Sequence, residues 1–135
     1  MEPGDGYSRR YLANCYEQKR MYAEALAELM KIPPEPAWTP VLRAALGYAH
    51  AMAGHRRDAM VIANELESEA KQQYVSAFDI GLIYVGLGES KRALDWLEKA
   101  YRERSPLLIY LKVDPRFDDL RTDPQFQDLA RRVGL

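Results

Sequence analysis

The side chains of this 135-residue chain best suited to catalysis or metal binding are Cys15, His50, His55 and acidic pairs such as Asp118-Asp119. A thiolate beside an imidazole makes a nucleophile, and three or four such groups at suitable spacing make a zinc set. The sequence assembles neither. One cysteine has no internal disulfide partner, and with only two histidines beside it no structural zinc set is expected. Cys15 stands next to Leu12 and Tyr16 at helical spacing and reads as a small apolar side chain. His50 falls at a packing position, His55 falls in a turn after Gly54, and nothing in the sequence pairs them. Asp118 and Asp119 are consecutive on a helix, so their side chains diverge by about 100° and cannot share a substrate atom. The glycines at 86 and 88 lack the GxxxxGK pattern of a phosphate loop. No cofactor, no metal and no enzymatic activity are expected.

Charge points the same way. Nineteen Lys and Arg against twenty Asp and Glu leave a net charge of -1, so no bulk field draws the chain to nucleic acid or to an anionic membrane. Basic doublets such as Arg56-Arg57 and Lys91-Arg92 are dispersed among acids and read as solvated faces. No apolar stretch is long enough for a membrane span or a leader, so a cytoplasmic location is expected.

The elements that must position any site follow from a repeat of 34 residues. Steps of 34 align Leu12, Leu46 and Ile80; Ala13, Gly47 and Gly81; Tyr16, His50 and Tyr84; and Ala25, Ala59 and Ala93. Within each copy the apolar spacing is helical, as in Leu42, Ala45, Leu46, Ala49 and in Ala93, Trp96, Leu97, Ala100. Each copy is therefore two amphipathic helices, with units over about 6–39, 40–73 and 74–107. Gly54 and Gly88 stand where the first helix must turn back in a left-handed conformation. Arg20 occupies that place in the first copy, at a cost of about 1 kcal/mol if it adopts the same dihedrals. The small residues at 13, 47, 81 and at 25, 59, 93 are expected where antiparallel helices cross. Thr39-Pro40 reads as a helix start after the Pro33-Pro34-Glu35-Pro36 turn. Ser105-Pro106, Asp114-Pro115 and Asp123-Pro124 repeat that device, so 108–135 reads as a cap of short helices. Phe117, Leu120, Phe126 and Leu129 should cover Trp96, Leu97 and Tyr101 of the last hairpin, with Arg116 and Arg132 left to solvent.

These residues resemble the tetratricopeptide repeat family. Ile80-Gly81-Tyr84-Gly88-Ala93-Leu97 carries the pattern best, Leu46-Gly47 with Ala59 follows it with His50 in place of Tyr, and Leu12-Ala13-Tyr16-Ala25-Leu29 is a weaker first copy. The resemblance implies an all-α, right-handed solenoid of three hairpins plus a cap, in one domain over 1–135. The run from Tyr74-Val75-Ser76 to Phe126 is also similar to the carboxy-terminal repeat region of multidomain bacterial proteins that carry an upstream kinase, winged-helix or propeller domain.

In that family the first helix of each unit lines an inner groove. Carried over, the groove positions are Arg10 and Asn14 in unit one; Val41, Ala44, Tyr48 and Met52 in unit two; and Val75, Phe78, Leu82 and Val85 in unit three. Tyr48, Met52, Phe78 and Leu82 would form an apolar patch large enough to need a partner or an internal cover. The carboxylate-gripping subtype is disfavoured, because Ala45, Val75 and Asp79 stand where polar or basic groups are needed. The expected function is a protein-interaction module whose groove takes a partner helix or an apolar peptide. The alternative is a self-association module that dimerises through Tyr7, Tyr11, Tyr16 and Tyr22 of unit one.

Overall fold

The computed structural model describes residues 5–33 and 39–134, and the described residues are helical with no strand. Three antiparallel hairpins follow one another: α1 (Asp5–Gln18) with α2 (Tyr22–Met30), α3 (Thr39–Met52) with α4 (Arg56–Glu69), and α5 (Ala77–Gly86) with α6 (Ser90–Arg102). Each packs on the next, through α2 against α3 and through α3 and α4 against α5. The expected Pro34-Glu35-Pro36 turn lies outside the described residues, and α3 begins at Thr39. No helix among the described residues is long and apolar enough to cross a membrane.

The first helix of each hairpin ends in the same way. Gly54 and Gly88 adopt φ of 87° and 74°, and the backbone N–H of residue i+5 closes onto the carbonyl of residue i: His55 to His50 at 2.8 Å and Glu89 to Tyr84 at 3.0 Å. Met21 to Tyr16 repeats the closure at 2.8 Å, with Arg20 carrying φ of 60°. Arg20 therefore bears the strain of about 1 kcal/mol that a side chain meets in the left-handed region. Arg104, at φ of 57°, ends α6 by the same device with Ser105 closing onto Ala100.

Small residues set the helix spacing, though not all within one hairpin. Ala25, Ala59 and Ala93 are fully buried. A Cβ on Gly81 would meet the Ala93 carbonyl and Leu97 at 3.4 Å, inside the third hairpin. A Cβ on Gly47 would come within 2.7 Å of Ile83, which belongs to the next hairpin. Gly47 therefore also sets the distance between hairpins. Arg9 and Arg43, one period apart, both bridge to the second helix of their own hairpin, Arg9 to Glu28 at 3.0 Å and Arg43 to Glu69 at 2.8 Å.

Beyond α6 come two 3-10 helices, η1 (Pro106–Tyr110) and η2 (Pro115–Leu120), then α7 (Pro124–Val133). Each begins with proline after a capping side chain: Ser105 accepts from the Leu107 N–H, Asp114 from Arg116 and Asp123 from Gln125. Arg121 holds the path between them by donating to the Leu111 and Asp114 carbonyls at 2.9 and 2.8 Å. Helix α7 lies on α6, where Arg132 pairs with Glu98 and stacks over Tyr101 while staying exposed to solvent, as expected. The tail does more than cover the last hairpin. Phe117 is fully buried and meets Phe78 edge-on at 5.6 Å and Phe126 at 5.9 Å, so η2 seats its aromatic ring on the inner face of α5.

Candidate functional site

The face shared by α1, α3 and α5 is closed by the tail, and between them lies a cavity of about 430 Å³. Seven of the ten groove positions expected from the sequence line it: Arg10, Asn14, Val41, Ala44, Tyr48, Phe78 and Leu82. Val75 is instead buried in the core between the second and third hairpins, beside Ala44 and Ile80. Met52 and Val85 are partly buried against the cluster that the tail completes. Of the two covers the sequence left open for the apolar patch, a partner or the chain itself, the structure has the chain's own. Tyr48, Phe78 and Leu82 are only 6%, 2% and 4% exposed, because Phe117, Leu120, Phe126 and Leu129 join them in one core. An apolar face of that size is stabilised by about 25 cal/mol for each Å² withdrawn from water, and the chain's own tail supplies the cover.

What stays open is polar. From α1 come Arg10, Asn14, Glu17 and Gln18, from α5 Asp79, and from the tail Asp114 and Arg116, while Val41, Tyr110 and Val113 stand exposed around them. The guanidinium of Arg116 is already committed. It donates from Nε to both Asp114 carboxylate oxygens, at 3.1 and 3.0 Å, and from Nη2 at 2.6 Å, and it lies 5.7 Å over the Tyr48 ring. Arg116 thus lines the site while keeping the solvent exposure expected of it. Glu17 and Asp79 remain, with Arg10 as the other cation lining the cavity.

Burial raises both carboxyls. Burial pushes Glu17 up to about 7, with Arg116 pulling it back and Asp114 adding to the rise. Burial also raises Asp79, against the lowering effects of its hydrogen bond to Ser76 and of Arg116 and Arg10. Burial holds the Tyr48 hydroxyl protonated, and the Glu17 charge reinforces this. Burial is the largest cause of both shifts, so a positive charge brought close to either carboxyl would lower it again.

The tail residues Tyr110, Val113, Asp114 and Arg116 were missed as site residues. Asp114-Pro115 signals a helix start, but nothing local tells where that helix lands. Histidines 50 and 55, read singly in the sequence, are in fact 3.1 Å apart. The chain matches no family model, no curated protein and no solved structure.

Proposed function

We propose that the chain is a tetratricopeptide-type repeat, a right-handed solenoid of three hairpins with its tail as cap. It acts as a protein-interaction module and not as an enzyme. The 34-residue phase and the recurrent left-handed helix ends support the repeat reading. The partner is an extended peptide of another protein, which places a lysine or arginine side chain in the cavity and rests on Val41, Tyr110 and Val113. One observation carries this: Glu17 and Asp79 share a part-buried cavity whose second guanidinium, Arg116, is already held by Asp114. A peptide cation would replace the proton that Glu17 retains, so affinity rises as pH rises through 7 and falls with salt.

A displayed library of random peptides, selected on the full chain, tests the reading. The enriched sequences should carry a basic residue, and Glu17→Gln should weaken them by about tenfold or more, equivalent to roughly 1.4 kcal/mol. Enrichment of purely apolar sequences, or equal binding to the variant, would refute it. Self-association through α1 is the second reading, favoured by Tyr11 and Leu12 at 74% and 40% exposure. A molecular mass independent of concentration would count against it. Tyr7, assigned to the same surface, lies outside the described side chains.

A further inference from the structure

The turn of the second hairpin gathers three metal-ligating side chains that the cavity does not use. His50 is in the last turn of α3, His55 directly precedes α4, and Asp58 is in the first turn of α4. The Nδ1 atoms of the two imidazoles lie 3.1 Å apart, Asp58 Oδ2 is 3.9 Å from His50 Nδ1, and one ligand atom from each residue falls within 4.8 Å of the others. We propose that His50 Nδ1, His55 Nδ1 and the Asp58 carboxylate bind a divalent transition metal of the zinc class.

The spacing fits. Two nitrogens on one tetrahedral zinc, each at about 2.0–2.1 Å, stand roughly 3.3 Å apart. The Asp58 carboxylate is exposed on a short side chain and has room to close the remaining distance. The backbone fixes the imidazole pair, since the His55 N–H closes onto the His50 carbonyl across Gly54. That closure recurs in the other hairpins, where Tyr16, Met21 and Glu24 or Tyr84, Glu89 and Arg92 fill the equivalent places. The turn is therefore common to the three hairpins, and the ligand set is peculiar to the second.

The chemistry around the turn agrees. Two Nδ1 atoms this close must share one proton, with one donating and the other accepting, unless a metal accepts both lone pairs. Arg56, which follows His55 in the chain, is drawn off to Glu89 at 2.5 Å and to the Leu87 carbonyl at 3.1 Å. Two imidazoles and one carboxylate suit zinc, copper or nickel, whereas calcium and magnesium require oxygen-only shells. Three protein ligands leave a fourth position for water or for a group from a partner. Bound metal would staple the end of α3 to the start of α4.

Titration of the untagged full chain with zinc, read by calorimetry, and with cobalt, read by its visible bands, tests the proposal. One saturable equivalent of zinc, the intense absorption of four-coordinate cobalt, and a melting temperature raised by several degrees in excess zinc are expected. His55→Ala replaces an exposed side chain that makes no cap hydrogen bond, so it keeps the fold. It should weaken zinc by at least about tenfold, a loss that even supporting groups around a metal can cause, and Asp58→Asn should weaken it as well. No saturable binding, or the same stoichiometry and affinity in His55→Ala, would overturn it.

Discussion

Phe117→Ala should cost about 3–5 kcal/mol of folding free energy, the usual loss for emptying a fully buried aromatic site. The ring is wholly withdrawn from solvent and joins Phe78 on α5 to Phe126 on α7, so its loss leaves a void where the tail, the third hairpin and the inner face meet. Against a typical total of 5–15 kcal/mol, the variant becomes marginal. Urea unfolding followed by circular dichroism measures this directly. Ile109 lies on the same tail at 61% exposure, and Ile109→Ala should stay within about 0.5 kcal/mol of the parent chain. Equal small losses for both variants would mean that the tail is a loose flap and that Tyr48, Phe78 and Leu82 are free to receive a partner.

The second large effect concerns Glu17 and has a definite sign. The folded chain keeps the Glu17 proton up to about 7, while the unfolded chain releases it near 4.5. Between those values the folded state binds more protons, so stability contributed by this group is complete below pH 4.5 and is lost as pH rises through 7. At about 1.4 kcal/mol per pH unit the loss is of the order of 3 kcal/mol. The raised Asp79 acts in the same direction. Asp128, held low by its hydrogen bonds to Arg131 and Arg132, acts only at more acidic pH and leaves this window clear. Glu17→Gln should therefore be stabilising at pH 8, by up to that amount, and nearly neutral at pH 4. A variant no more stable than the parent at pH 8 would show that Glu17 is well solvated or well paired.

The hairpins were legible in the sequence because their signals are local. Gly54 and Gly88 recur in phase, and Ser105-Pro106, Asp114-Pro115 and Asp123-Pro124 each announce a helix start with a cap and a preset φ. The final destination of the tail was not legible. It depends on Phe117 meeting Phe78, a contact between residues far apart in the chain for which no periodicity gives a sign. Seven groove positions reached the cavity, yet which of the two covers, a partner or the chain itself, lies over their apolar part was not legible for that same reason. The acidic character of the site was hidden similarly, since the groups that neutralise or oppose Glu17 come from η2 and its cap. The histidine pair was within reach of the sequence: a left-handed residue between them brings i and i+5 together, and reading each imidazole alone concealed it.

The central proposal is that Glu17, raised by burial in the cavity, receives a cationic side chain of a partner. Carbon-detected NMR titration of the Glu17 side-chain carboxyl, in the free chain and with a lysine-bearing peptide bound, tests it most directly. The account predicts a midpoint near 7 in the free chain, falling by about one unit or more when the peptide's ammonium group enters. A midpoint near the ordinary 4.5, unmoved by the peptide, would contradict it.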